Sequence, residues 1–310
     1  MACFDALLLL HYLNKTMPEK NSDTELDALI SMIDEPNEKV FATIRQKIAD
    51  YGRVAIPVLE DAWMNSFSEE QNERLEGLIG DIRFSDLFLE LQKWKQSGQK
   101  DLLQAFALIS KFRYPEFDDE KYLALLARLK QDAWLEMNEE LTALEKTKVL
   151  NHIFYDVWGF RGIRLQQKIT LNSYFLNEVL DTKKGNALSL GMLYISVAQS
   201  LNIPVFGIDL PRHFVLTYLD DSFPIKAAGK YTKDEVLFYI NAMNKGAVFT
   251  TNEVDLFIKK LKVDAKEEYY LPCNTITIVR RLITELIVAY KSEGEPEKVR
   301  ELEELILALD

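Results

Sequence analysis

The sequence contains little cysteine and little histidine. Its 310 residues include two cysteines, Cys3 and Cys273, and three histidines. Two cysteines cannot build a disulfide framework, and no Cys or His spacing matches that of a metal site. We therefore expect no metal, no other cofactor and a reducing, cytoplasmic location.

Positive charge and long apolar runs are also scarce. The chain has 37 Lys and Arg against 49 Asp and Glu, a net charge of -12 that repels phosphate backbones and disfavours nucleic-acid binding. The apolar run within residues 1–15 is too short to span a membrane. Because Asp5 precedes it without a basic residue, it is also a poor signal peptide. We expect a packed helix or a wrongly assigned start, with secretion as the less favoured alternative, and no membrane partner.

The chain does contain enough apolar surface for a packed core, with 48% hydrophobic and 11% aromatic residues. A length of 310 residues favours two or three domains. From residue 24 to about 158 the apolar residues recur at helical spacing. The segment 29–63 resembles a HEAT-type repeat, with an Asp-x-Pro turn between paired helices. We predict a helical, HEAT-like domain over residues 1–145.

The pattern changes after Gly162. Residues 185–202 are apolar on both sides of a helix, which is typical of a buried central helix. Short β-branched or aromatic stretches follow, which predict strands of a small, mostly antiparallel sheet over residues 205–208, 213–218, 237–241 and 247–250. The fold class is therefore α+β, with a helix packed on a small sheet over residues 146–268. The long connection over 220–235 is a candidate flap over a groove.

The last segment, residues 269–310, predicts two helices that flank the turn Gly294-Glu295-Pro296. Their length is that of a tetratricopeptide-like αα-hairpin, although a single unit cannot form a solenoid. We expect this hairpin to pack on the preceding core.

Several motifs of the second half occur together in order. They are NHIFYDVWGFRG (151–162), the stretch from Asn172 to Tyr218, and FYINAMNKGAVF (238–249). With these motifs, residues 146–310 resemble the bacterial Sir-B-type branch of the transglutaminase-like superfamily. The resemblance implies a papain-like core behind an N-terminal helical layer.

Active members of that superfamily carry a nucleophilic cysteine two residues after a glycine, at the start of the central helix. The helix dipole and a nearby imidazole favour the thiolate, and a carboxylate orients the imidazole. Counted from Gly185, the cysteine position is Ala187, whose methyl group cannot attack a carbonyl. The resemblance assigns the histidine to His213 and the aspartate position to Asn241, and an amide can still orient an imidazole.

Further residues depart from the branch pattern. The branch commonly has proline where Ala187 lies and a Pro-Phe pair where Ala242 and Met243 lie. Ser189 follows Ala187 by two residues and points about 200° away from it on a helix, which favours a capping or buried hydroxyl over a nucleophile. His213 lines a groove, or alternatively is a structural histidine hydrogen-bonded to Asn241.

These residues support two functional hypotheses of different classes. The favoured one is a pseudoenzyme, a scaffold or interaction module that binds an unknown peptide or protein in the vestigial groove. The alternative is a hydrolase or acyl-transfer enzyme in which His213 and Asn241 activate Ser189 or water. A purely structural or regulatory domain is the third possibility.

Overall fold

The computed structural model describes most of the chain, namely residues 20–97, 101–163, 170–220 and 231–310. The chain divides into two compact units, Met1–Asp86 and Leu87–Asp310. The limit between these units lies at residue 86, well before the domain limit predicted at residue 145. The predicted division into three domains stays a prediction. Most of the predicted flap and Cys3 lie outside the described residues.

The described part of the first unit is helical, as its spacing predicts. Asn37 begins the second helix by accepting hydrogen bonds from the amides of Lys39 and Val40. Pro57 lies in the first turn of the third, where its missing N–H costs nothing. The helices are α1 (Lys20–Ser31), α2 (Glu38–Asp50), α3 (Ile56–Asn65) and α4 (Glu69–Gln96), the last of which continues into the second unit. Their HEAT-like character stays a prediction.

In the second unit the predicted central helix is confirmed. It is α9, which starts at Ala187 and has ten buried residues among its fourteen. It contacts α5 as well as strands of the sheet, so it has protein on both sides. The helices here are α5 (Leu102–Lys111), α6 (Asp119–Glu136), α7 (Ala143–Asn151), α8 (Leu176–Thr182), α9 (Ala187–Ser200), α10 (Thr251–Leu261), α11 (Thr275–Glu293) and α12 (Pro296–Leu307). A π-helix, His152–Val157, follows α7 directly.

The four predicted strands are all present and form one antiparallel sheet in the order β3-β4-β5-β6. A separate two-stranded parallel pair, β1 with β2, lies before the central helix. The strands are β1 (Arg161–Gly162), β2 (Lys184–Gly185), β3 (Val205–Leu210), β4 (His213–Leu219), β5 (Val236–Asn241) and β6 (Ala247–Phe249).

The side chains of β4 alternate between two faces of the sheet, one toward α9 and the other toward α10. Phe214 faces α9, since a Cβ added at Gly191 would lie 2.8 Å from the Phe214 ring. Val215 faces the other way and packs with Val254 and Ile258 of α10. His213 shares the face of Val215 at the first residue of the strand. The separation of these two faces agrees with the alternation read from the sequence.

The last two helices contact each other across a short turn. Gly294 ends α11 in the left-handed conformation at φ 82°, and Pro296 begins α12. The assignment of this pair as a tetratricopeptide-like hairpin stays a prediction.

Two findings hold over the described residues alone. No helix there combines the length and the apolar composition that crossing a bilayer requires. No group of three or more His, Cys, Asp or Glu side chains there is arranged to hold a metal ion.

Candidate functional site

The candidate site begins at the N-terminus of α9, where Asn186 caps the helix. Its Oδ1 accepts hydrogen bonds from the amides of Leu188 and Ser189, both at 2.9 Å. Ser189 reciprocates, because its Oγ accepts from the Asn186 amide at 3.0 Å. Ala187 is therefore the first residue of the helix, and it is partly exposed. It lies where the positive end of the helix dipole favours an anion, as a thiolate position requires.

Ser189 is held as part of this cap. Its side chain is fully buried, and a Cβ added at Gly185 would lie 2.7 Å from its Oγ. The hydroxyl is thus enclosed by the turn that precedes the helix. Its role as a nucleophile stays a prediction, and the structure gives it a capping role.

We expect Ser189→Ala to lower the free energy of unfolding by about 1–2 kcal/mol, because it removes a buried capping hydroxyl. Ser196→Ala is the matched control on the same helix. The Ser196 hydroxyl donates only to the carbonyl of Met192 one turn back, so its loss should change stability by less than about 0.5 kcal/mol. Urea denaturation of both variants measures the difference. Equal stabilities would contradict the capping role.

A second wall of the site is the turn Ala242–Asn244 after β5. Tyr155 of the π-helix donates to the carbonyl of Ala242 at 3.0 Å and fixes this turn. The Met243 side chain covers Gly162, at which a Cβ would lie 2.8 Å from its Cε. Gly162 pairs with Gly185, two residues before Ala187. Met243 therefore lies close to the strand pair that precedes the central helix.

Asn241 uses its side chain within this same turn. Its Oδ1 accepts from the amide of Met243 at 3.0 Å and caps the turn. Continuing the β4–β5 register places Asn241 opposite Val215, on the face of His213 and two residues along from it. Among the described residues no hydrogen bond joins Asn241 to the His213 ring. Its role as the orienting amide stays a prediction.

His213 is half-buried at the beginning of β4. Its ring packs against that of Phe257 on α10, with the ring centroids 5.3 Å apart. Burial lowers the pKa of His213, and the nearby Arg281 lowers it further, while Glu285 acts in the opposite direction. The lowered pKa favours the neutral form of the imidazole, which can accept a proton.

The charged residues around His213 were not predicted from the sequence. The Arg281 side chain on α11 is only 14% exposed and donates to the carbonyls of Leu210 and His213, each at 2.9 Å. It also forms ion pairs with Asp209 and, at 2.9 Å, with Glu285. The spacing of Arg281 and Glu285 by four residues was a local signal for their pairing. Nothing local indicated that they meet a strand about seventy residues earlier.

The lowered pKa of His213 makes stability depend on pH. The unfolded chain takes up a proton near pH 6.5 and the folded chain only below that value, so folding is most favoured above pH 6.5 and weakens as the pH falls. Between pH 7 and pH 5, we expect the free energy of unfolding to fall less in His213→Phe than in the wild type. The phenylalanine ring would keep the contact with Phe257. Urea denaturation at each pH measures this difference, with the exposed His152→Asn as control. An unchanged pH dependence in His213→Phe would contradict the prediction.

Cys273 does not contribute a reactive thiol. Burial, followed by the charge of Asp209, raises the pKa of Cys273 to about 12. A thiol with that pKa holds almost no thiolate at neutral pH.

Comparison with known proteins identifies one superfamily profile and several relatives of modest identity. Residues 120–284 match the sequence profile of the transglutaminase-like superfamily. The mouse F-box only protein 21 is 28% identical over 145 residues, which are 47% of this chain and 22% of the mouse protein. A UPF0162 protein of Buchnera aphidicola is 22% identical over 213 residues, 67% of this chain and 74% of that protein. A UPF0162 protein of Vibrio cholerae is 31% identical over 117 residues, 38% of this chain and 43% of that protein.

These matches differ in extent. The chain spans about a fifth of the length of the F-box only relatives, so the similarity to them is confined to one region. No solved structure matches the chain. The superfamily profile covers just over half of the chain and includes the start of α9, His213 and Asn241. The chain belongs to the transglutaminase-like superfamily.

Proposed function

We propose that this protein is a non-catalytic member of the superfamily that binds a peptide or protein segment at the start of α9. One observation carries the proposal: Ala187, which the resemblance assigns to the position of the superfamily's nucleophile, lies in the partly exposed first turn of the helix. The neighbouring hydroxyl of Ser189 is fully buried within the cap. The first turn of α9 thus offers neither a thiol at Ala187 nor an exposed hydroxyl at Ser189.

Three finer assignments belong to this proposal. The ordered motifs over 151–162, 172–218 and 238–249 support membership of the Sir-B-type branch. Paired short helices after Asp34-Glu35-Pro36 support a HEAT-like first unit, and the turn at Gly294 supports a tetratricopeptide-like hairpin at α11 and α12. Helical modules of these kinds usually present binding surfaces. A cytoplasmic location with a protein or peptide partner fits this composition.

A hydrolase or acyl-transfer enzyme is the second candidate. The feature in its favour is His213, whose lowered pKa favours the neutral imidazole, a form that can act as a base toward water without a protein nucleophile. In that reaction His213 would take the proton as water attacks the carbonyl. The amides at the start of α9 would then stabilise the oxyanion.

A peptide selection tests both candidates. Random peptides displayed on phage are selected on the wild-type full chain and then measured on Ala187→Trp, which fills the start of α9. A change from Val288, an exposed residue on α11, to Trp is the control for added surface hydrophobicity. We expect peptides whose affinity falls at least about tenfold on Ala187→Trp alone, since filling a contact site costs about 1.4 kcal/mol or more.

The same peptides are then incubated with the protein and followed by mass spectrometry. We expect them to remain intact, with no amine incorporated and no bond hydrolysed. Turnover that His213→Ala abolishes would replace the binding function with the hydrolase or acyl-transfer function. Peptide binding that is indifferent to Ala187→Trp would contradict a binding site at α9.

A further inference from the structure

The His213 end of β4 is held by a helix that follows it by more than sixty residues. Arg281 of α11 donates from one nitrogen, Nη1, to the His213 carbonyl and to the Leu210 carbonyl, each at 2.9 Å. The same nitrogen pairs with Asp209. The guanidinium therefore joins the end of β3 to the start of β4, where His213 lies.

A carboxylate lies on the other side of this guanidinium. The Nε of Arg281 donates to Glu285 Oε1 at 2.9 Å, and the Glu285 side chain is 30% exposed. Burial, followed by the charge of the nearby Glu285, raises the pKa of Tyr174, which belongs to the short helix Leu171–Tyr174. Ser173 of that short helix accepts from the Asn186 side chain. The carboxylate is thereby connected through neighbouring residues to the start of α9 as well as to β4.

The expected orienting residue is engaged elsewhere. Asn241 Oδ1 is used by the amide of Met243, within a turn that Tyr155 also holds. Among the described residues, the charges of Arg281 and Glu285 on α11 act on the His213 imidazole, and its ring contacts the Phe257 ring on α10. The charged groups among these are the ion pair of α11.

We propose that Arg281 and Glu285 of α11, rather than Asn241 of β5, are the positioning residues of His213. Arg281 fixes the end of β4 through the His213 carbonyl. Glu285 supplies the carboxylate that balances this guanidinium and favours a proton on the imidazole. Helix α11 is thus an integral part of the site and not an appended module. This inference concerns the same site as the proposed function but requires no ligand.

A histidine titration by NMR tests the proposal in the full chain. With three histidines in the sequence, the variant His213→Phe assigns the His213 signals by their loss. The pKa of His213 is then measured in the wild type, Glu285→Gln, Arg281→Gln and Asn241→Ala. Glu293→Gln is the matched control, because it makes the same change at an exposed position two turns further along α11.

The expected results have opposite signs. Removing the negative charge in Glu285→Gln lowers the pKa of His213, and removing the positive charge in Arg281→Gln raises it. Glu293→Gln and Asn241→Ala leave it at the wild-type value. A merely structural role would not produce this pattern of signs in variants whose circular dichroism matches the wild type.

Two outcomes would overturn the proposal. One is a Glu285→Gln titration that coincides with that of Glu293→Gln, and the other is a larger shift in Asn241→Ala than in Glu285→Gln. If Arg281→Gln does not fold, Glu285→Gln alone decides, because it leaves the bonds from Arg281 to β4 in place. The titration does not depend on peptide binding. The proposed function can therefore fail while this inference holds, and this inference can fail while the proposed function holds.

Discussion

Ala187→Cys should create a thiol far more reactive than that of Cys273. The new side chain would lie at the first residue of α9, where the helix dipole stabilises a thiolate. We expect it to react with iodoacetamide at pH 7 roughly 10³-fold faster than Cys273, whose pKa is raised to about 12. The reaction is followed in a Cys3→Ser background, and peptide mapping assigns the modified position.

The matched control for this thiol is Ser200→Cys at the other end of the same helix. Ser200 is the last residue of α9 and is partly buried like Ala187, but the helix dipole there opposes a negative charge. We expect Ser200→Cys to react about tenfold more slowly than Ala187→Cys. Equal rates would mean that the start of α9 does not activate a thiol, and the superfamily's nucleophile position would have to be reassigned.

Gly246→Ala should be the most destabilising of the small substitutions near the site. Gly246 has φ +68°, and an added Cβ would lie 1.9 Å from Asn151 Oδ1. Asn151 in turn accepts from the Tyr194 hydroxyl and donates to the Gly246 carbonyl, both at 2.9 Å. The methyl group would displace this amide and break both bonds. We expect a loss of about 3–5 kcal/mol in the free energy of unfolding, measured by urea denaturation.

Gly159→Ala separates the clash from the backbone strain. Gly159 also has a positive φ, +74°, but nothing lies within 4 Å of its added Cβ. Gly159→Ala should lower the free energy of unfolding by only about 1 kcal/mol, the ordinary penalty of a side chain in the left-handed region. Similar losses in the two variants would contradict a clash between the added methyl group and Asn151 as the cause of the larger loss in Gly246→Ala.

The local elements of the site were well predicted, because each has a short-range cause. Apolar residues on both sides predicted the buried helix α9, and alternation predicted the strand of His213. The capping role of Ser189 followed from helical geometry, since a residue two positions after Ala187 points away from it. Each of these inferences depends on residues within one or two helical turns.

The surroundings of His213 were not predictable in the same way. The sequence suggested a hydrogen bond to Asn241 from spacing within the superfamily, whereas the structure engages that side chain with Met243. It gave no sign that Arg281 reaches the His213 carbonyl, because that contact joins elements 68 residues apart. Pairing between distant elements depends on how the sheet and α11 pack, which no local pattern encodes.

The sequence by itself determined most of the helical and strand segments and the buried central helix that begins at Ala187. These features depend on side-chain type and on spacings of two or 3.6 residues, which are local properties of the chain. Only the tertiary structure decided that Ser189 is enclosed, that Met243 covers Gly162 and that α11 supplies the charges beside His213. The physical reason is that burial and charge pairing depend on which distant segments pack together, and that packing minimises the exposed apolar surface of the whole unit.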